Sequence, residues 1–118
     1  MPAAMAALLM TSAPASASIR GVYVYDAAVI RLDWKTSLSE CLRATNGWYK
    51  VTKYDGPAID VRLVSCNTNR VVGGPVRVAD ADWSSSWVYA SGEPVYLQAI
   101  GRGSNWLDTW DGVVAYDR

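Results

Sequence analysis

The feature that most limits how this chain can fold is a series of short runs in which apolar and polar residues alternate. These runs recur at intervals of about 10 residues, and Gly, Pro, Asn and Asp fill the positions between them. A period of two places successive side chains on opposite faces of an extended strand. The sequence therefore predicts an all-β fold, a single small antiparallel β-sandwich or barrel of about 7–9 strands with one disulfide.

The clearest pair of such runs lies in the middle of the chain. Residues 48–54 and 58–66 flank the turn signal Asp55-Gly56-Pro57. Glycine tolerates positive φ, and aspartate can accept a hydrogen bond from its own backbone, so we predict a β-hairpin here. The alternation slips after Leu63, which indicates a bulge or a change of sheet near Leu63-Val64.

The only two cysteines of the chain, Cys41 and Cys66, enclose this segment. We predict that they form a disulfide, which closes a loop of about 25 residues and contributes roughly 3 to 4 kcal/mol in the chain-entropy description. The alternative is a pair of free, buried thiols. An oxidising compartment favours the disulfide, and the start of the chain indicates such a compartment.

Residues 1–17 have the pattern of a secretory signal peptide. A short apolar run, residues 3–10, is followed by small residues and by Ala15-Ser16-Ala17, a cleavage site of the A-x-A type. No Lys or Arg precedes the run, so either the true start lies upstream or the signal is weak. We expect a secreted, extracellular protein with no membrane span after processing, with residues 18–118 forming one β domain. A disordered Ala-rich tail is the alternative.

Two regions before the central segment give less clear patterns. Residues 18–34 predict two strands, or one long strand bent near Asp26-Ala27, with Ala28 and Ile30 on one face. Residues 35–47 are polar, and a single helical turn is expected around residues 40–42.

Three regions after the central segment predict strands. Gly73-Gly74-Pro75 should interrupt residues 71–78, because this triplet is costly inside a central strand. Residues 83–89 predict one strand with Trp83, Ser85, Trp87 and Tyr89 on one face. Residues 95–100 are apolar on both faces, which indicates a central strand.

The composition argues against most enzyme classes. The chain has no His, which removes the usual activation of Ser or Cys nucleophiles and the common zinc sites. Carboxylate pairs such as Asp108 with Asp111 remain, but a domain of this size seldom builds the cleft that they would need. Asp80-x-Asp82-x-Ser84 resembles the start of a calcium loop without its later Gly and Glu. We expect no enzymatic activity, metal or cofactor.

The charge pattern limits the partners. The formal net charge is zero, and acidic and basic residues are interspersed. Neither a nucleic-acid surface nor a polybasic membrane patch is therefore expected. We expect a partner outside the cell, either a protein or a glycan.

The aromatic residues are the most suggestive feature. The chain has six Trp and seven Tyr but no Phe, and these side chains combine a large rigid contact area with a polar group. The alternative for each is core packing in place of the missing Phe. The candidate binding residues lie in the last third of the chain: Trp83, Trp87, Arg102, Asn105, Trp106, Asp108 and Trp110.

These observations predict a secreted, non-catalytic binding protein that docks onto or inhibits another protein through aromatic loops. A carbohydrate- or cell-wall-binding module is the alternative. A flat row of exposed rings would favour a glycan, whereas a convex loop capped by one or two rings would favour a protein cleft. A toxin-like or antimicrobial protein would more often carry net positive charge.

The general pattern is similar to that of small exported β-sandwich proteins of high-GC bacteria, including proteinaceous enzyme inhibitors. The actinobacterial α-amylase inhibitors carry a Trp-Arg-Tyr triplet and a second disulfide. This chain has Trp48-Tyr49-Lys50 instead and only two cysteines. The resemblance therefore assigns no functional residue.

Overall fold

In a computed structural model, which describes residues 18–79, 83–90, 92–102 and 107–118, the chain is all-β and forms two antiparallel sheets packed face to face. The predicted signal peptide, residues 1–17, lies outside the described residues. No helix in the described ranges is long and apolar enough to cross a membrane. The strands are β1 Ile19–Ile30, β2 Lys35–Leu42, β3 Trp48–Asp55, β4 Ile59–Ser65, β5 Val71–Val78, β6 Trp83–Ser84, β7 Val88–Tyr89, β8 Val95–Gly101 and β9 Leu107–Asp117.

The two sheets have simple strand orders. The five-stranded sheet has the order β1-β9-β3-β6, and β7 also pairs with β3. The four-stranded sheet has the order β2-β8-β4-β5. The predicted fold class is confirmed, as is the position of β8 inside its sheet.

The predicted hairpin is wrong, although both of its strands exist. β3 belongs to the five-stranded sheet and β4 to the four-stranded sheet, so the turn between them carries the chain from one sheet to the other. Gly56 has φ 120°, and a Cβ atom there would lie 2.7 Å from Cβ of Trp110. Glycine is therefore required at this position both by the backbone conformation and by the close approach of β9.

The core lies between the sheets and is filled by alternate residues of the longer strands. Tyr49 and Trp110 are the largest fully buried side chains. Burial of a large apolar side chain contributes about 1.5–3 kcal/mol relative to exposure. Most of the remaining core is aliphatic: Val24, Val29, Val51, Ile59, Val61, Leu63, Val78, Val95, Leu97, Ala99 and Val114.

β1 is one long strand with a bulge, which was one of the two predicted alternatives. Val24 is the last residue paired before the bulge and Ala27 the first after it, so Tyr25 and Asp26 together oppose Asp111. Asp26 has φ 45°, and its backbone N–H donates a hydrogen bond of 2.6 Å to Oδ1 of Asp111. Aspartate tolerates this left-handed conformation better than most residues.

The bulge changes which side chains of β1 face the core. Before it, even-numbered residues point inward; after it, Ala27 and Val29 are buried and Ala28 is exposed. The face with Ala28 and Ile30 is therefore the one that points away from the core. The single extra residue reverses the alternation.

The predicted disulfide between Cys41 and Cys66 is confirmed. Cys41 lies on β2 and Cys66 follows β4, the two strands that flank β8, so the bridge joins them beside the start of β8. The helical turn expected around Cys41 is wrong, because the segment is extended and pairs with β8.

β5 forms an edge of the four-stranded sheet and contains Gly73-Gly74-Pro75, so the triplet avoids a central strand as expected. It does not split the segment into two strands. The predicted irregularity near Leu63-Val64 is confirmed, since the β4–β5 register shifts on both sides of Leu63. The extra residues belong to β5, while the β4–β8 ladder is regular.

Candidate functional site

Two exposed tyrosines on β1 begin an aromatic surface on the outer side of the five-stranded sheet. Tyr23 and Tyr25 are 58% and 74% exposed. Residues two apart on a strand point to the same side, and the ring centroids lie 5.7 Å apart with an interplanar angle of 26°. The two rings form a stacked pair along one side of the sheet.

A second aromatic group lies on β3 and at β7. Trp48 pairs with Tyr89 across the two strands, and their ring centroids are 5.3 Å apart at an interplanar angle of 59°. The Nζ atom of Lys50 lies 5.5 Å from the centre of the Trp87 ring, within the range of a cation–π interaction. These contacts fix the positions of three rings and one ammonium group.

The strand between these two groups presents small side chains. β9 pairs with β1 on one side and with β3 on the other, so the two strands that carry these groups are about 10 Å apart at ordinary strand spacing. The register places Tyr23 opposite Val113, and Val113 opposite Thr52. The next row of paired residues on the same side of the sheet, two positions along each strand, contains Gly21, Ala115 and Lys50.

The two groups are offset along the strands, because Tyr23 is level with Thr52, four residues along β3 from Trp48. Together with the strip of small residues between them, which we call the trough, they form one aromatic surface. We call it the aromatic face and define it by Tyr23, Tyr25, Trp48, Lys50, Trp87 and Tyr89. Four of its five rings lie on strands of a hydrogen-bonded sheet and are held by strand register, whereas Trp87 lies in the segment between β6 and β7.

A buried carboxylate fixes one end of the aromatic face. Asp117 is fully buried, and its two carboxylate oxygens accept hydrogen bonds from the backbone N–H groups of Asn46, at 2.8 Å, and Trp48, at 3.2 Å. The backbone N–H of Thr45 donates to the Asp117 carbonyl at 2.7 Å. These bonds hold the segment that leads into β3 and thereby the backbone of Trp48.

An inward-facing serine shapes the other end. The predicted single strand over residues 83–89 is wrong, because it is divided into β6 and β7 with Ser85 buried between them. Ser85 Oγ accepts a hydrogen bond from Val51 N at 3.0 Å, and Ser85 N donates to Val51 O at 2.7 Å. These two bonds continue the pairing with β3 between β6 and β7. Beyond Ser85, Tyr89 pairs with Trp48 and Trp87 contacts Lys50, both on the outer side of the sheet.

The predicted site residues do not form one cluster. Trp87 belongs to the aromatic face. Trp83 is 55% exposed on the edge strand β6, but it pairs with the inward-facing Lys53 and therefore lies on the other side of the sheet from the aromatic face. Trp110 is only 1% exposed, and its Nε1–H donates a hydrogen bond to Ser37 Oγ at 3.0 Å. It is a core residue and is not part of the surface.

The other predicted site residues lie elsewhere. Asn105 and Trp106 fall outside the described residues. Asp108 is half-buried on β9, and its carboxylate accepts a hydrogen bond from Thr109 N at 2.8 Å. Arg102 directly follows β8, a strand of the other sheet.

Arg102 contacts the buried carboxylate of Asp60, which Arg77 also contacts. Burial of Asp60 opposes its ionisation, but the hydrogen bonds from Arg77 and Arg102 outweigh that effect and hold the pKa of the carboxyl below its ordinary value. This group lies on the outer side of the four-stranded sheet, away from the aromatic face.

Of the residues that define the aromatic face, only Trp87 was among the predicted binding residues, so sequence reasoning missed Tyr23, Tyr25, Trp48, Lys50 and Tyr89. The available signal was the alternation of Val22 and Val24 with two tyrosines, which puts aromatic side chains at the positions where a half-buried strand normally has polar ones. Within the described ranges, no group of three His, Cys, Asp or Glu side chains could hold a metal ion.

Comparisons with protein-family models, curated proteins and solved structures find no match for this chain. The chemistry of the exposed surface is therefore the basis for a functional hypothesis. Flat rings with hydroxyl and ammonium groups beside them suit ligands that combine apolar faces with many hydroxyls.

Proposed function

We propose that this protein is a non-catalytic binding protein, located outside the cell, whose aromatic face binds a glycan chain. The observation that carries the proposal is the trough on the five-stranded sheet, with the Tyr23 and Tyr25 rings on one side and the Trp48 and Tyr89 rings on the other. The disulfide is consistent with an oxidising compartment.

The shape of the surface favours a glycan over insertion into a protein cleft. The rings lie on the broad outer side of a sheet and not at the tip of a projecting loop. Sugar rings have apolar C–H faces that stack on aromatic rings, and their hydroxyls need donors and acceptors close by. Polar groups at the trough include the hydroxyls of Thr52 and Ser84, which lie 2.7 Å apart.

The charge of the surface favours a neutral glycan. The amine of Lys50 is the charged group among the six residues that define the aromatic face, and it lies over the Trp87 ring. A strongly anionic chain would be recognised mainly through basic side chains. Stacking and neutral hydrogen bonds are therefore expected to supply most of the affinity.

The test is a screen of the oxidised, processed protein against soluble and insoluble polysaccharides, with intrinsic Trp fluorescence as the readout. We expect binding to at least one neutral glycan, with a shift in Trp emission. The double variant Tyr23→Ala/Tyr25→Ala should weaken that binding at least tenfold, which equals about 1.4 kcal/mol. Leu32→Ala serves as the control, because Leu32 is exposed in the turn after β1.

Two results would count against the proposal. Binding that the double variant leaves unchanged would place the ligand elsewhere. Failure to bind any glycan, together with saturable binding of one purified protein partner that the double variant abolishes, would show that the same face docks a protein.

A further inference from the structure

Two arginines contact Asp60 on the outer side of the four-stranded sheet, and a third lies on the same side of β4. Arg77 on β5 lies opposite Asp60 on β4, and its Nε donates to Oδ1 of Asp60 at 2.5 Å. Arg102, which follows β8, donates through its Nε to Oδ2 at 2.8 Å. One carboxylate thus holds two guanidinium groups, one on each oxygen.

The third arginine is held by neutral groups. Arg62 lies two residues further along β4, on the same side of the strand as Asp60. Its Nε donates to Oε1 of Gln98 at 2.9 Å, and its guanidinium carbon lies 4.2 Å from the centre of the Trp34 ring. Stacking on an aromatic ring fixes the orientation of the planar guanidinium group and leaves its positive charge unpaired.

All three arginines use the same nitrogen to contact the protein. In the described part of the chain, Arg62, Arg77 and Arg102 each form their hydrogen bond through Nε, and their Nη atoms form none. A guanidinium group has five N–H donors, four of them on the Nη atoms. The arrangement therefore fixes each group while leaving its Nη donors free to bind a ligand.

The cluster has more positive than negative charge. Three arginines and one aspartate give a net charge of +2, and among the described residues no other carboxylate forms an ion pair with these arginines. Surface ion pairs contribute little to stability. One arginine is enough to neutralise the Asp60 carboxylate. The two further guanidinium groups repel each other and the first, so stability alone does not explain them.

We propose that this arginine cluster, formed by Arg77 and Arg102 at Asp60 and by Arg62 two residues further along β4, binds a phosphate or sulfate group. The planar fork of a guanidinium matches the oxygens of such an anion, and a dianion balances the excess charge. The shared chemistry is a tetrahedral oxyanion, either free or as an ester on a polymer. The cluster lies on the opposite side of the sandwich from the aromatic face, so the two proposals can fail independently.

The first experiment titrates the oxidised protein with sodium sulfate and sodium phosphate, followed by amide chemical shifts, with sodium chloride at matched ionic strength as the reference. We expect saturable shifts on β4, β5 and β8 with sulfate or phosphate and none with chloride. A second arm compares a sulfated and a phosphorylated polysaccharide with their uncharged parents. Tighter binding of an esterified polymer than of the free anion assigns the site to the polymer.

Variants distinguish specific anion binding at the arginine cluster from non-specific attraction of anions to positive charge. Arg77→Gln and Arg102→Gln should each weaken sulfate or phosphate binding at least tenfold, and Arg77→Lys should restore only part of it, because lysine keeps the charge but not the fork. Arg31→Gln removes the same charge from an exposed turn and should change the affinity less than twofold. Equal losses in all of the Gln variants would overturn the proposal.

Asp60→Asn tests whether orientation matters. The variant raises the net charge of the cluster by one but removes the carboxylate that holds Arg77 and Arg102. We expect weaker binding. Stronger binding would show that charge alone attracts the anion, and the absence of saturable binding to any sulfate or phosphate probe would end the proposal. Thermal unfolding of each variant checks that the fold is intact.

Discussion

The Trp48 ring on β3 lies 5.3 Å from the Tyr89 ring on β7, with 59° between their planes. The two residues are directly paired across the strands, although 41 positions separate them in the sequence (89 − 48). Tilted aromatic pairs of this kind add about 0.5–1.5 kcal/mol beyond their buried area. The pair thus stabilises β7 and at the same time presents two rings on the outer side of the sheet.

The position of Trp48 depends on the buried carboxylate of Asp117. Asp117→Ala leaves the backbone N–H groups of Asn46 and Trp48 without their acceptors, and the unfolding free energy should fall by about 1–3 kcal/mol. Asp117→Asn keeps one acceptor oxygen and should lose less. Urea unfolding followed by Trp fluorescence measures both. Equal stability of Asp117→Ala and the wild type would contradict this role.

The hydroxyl of Tyr49 joins two backbone groups inside the core. It accepts a hydrogen bond from Ala44 N at 2.9 Å and donates one to Leu42 O at 3.1 Å. Tyr49→Phe should therefore destabilise the protein by about 1–3 kcal/mol, because both backbone groups lose a partner. Tyr54→Phe, at an exposed position, is the control and should change stability by less than about 0.5 kcal/mol.

The same tyrosine should make stability sensitive to alkaline pH. Burial raises the pKa of the Tyr49 hydroxyl above its ordinary value of 10.0. The unfolded chain then loses this proton before the folded protein does, so stability should fall as the pH rises above 10.0 towards the folded-state pKa. Unfolding curves of wild type and Tyr49→Phe should show a smaller alkaline loss in the variant.

Asp60 should produce the opposite dependence in acid. Its folded-state pKa lies below its ordinary value of 3.8, so its contribution is present above that pH and is lost as the pH falls through the folded-state pKa. The stability difference between wild type and Asp60→Asn should be constant near neutrality and should shrink below about pH 4. A difference that is independent of pH would contradict the two ion pairs.

Local patterns predicted the strands well but not the sheet to which each belongs. The residues of the Asp55-Gly56 turn are those of a hairpin, yet the turn joins two sheets because β9 occupies the position beside β3. A turn signal fixes the direction of the chain over a few residues. Which strand pairs with which is decided by contacts between residues distant in sequence.

The candidate site was harder to predict for the same reason. Trp110 has polar neighbours in the sequence, but packing between the sheets buries it, whereas Tyr23 and Tyr25 are exposed in an apolar segment. The bulge at Asp26 reverses the alternation by one residue, and its hydrogen bond to Asp111 spans 85 positions. No local pattern reports such a contact.

The central claim is that the aromatic face binds the ligand. The most direct measurement is amide chemical-shift mapping of the oxidised protein during titration with an oligosaccharide of the glycan selected by the screen. We expect the largest shifts at Tyr23 and Thr52 and along the trough floor at Val113 and Ala115, with little change at Gln98 on the four-stranded sheet. Saturable shifts confined to the four-stranded sheet would contradict the account.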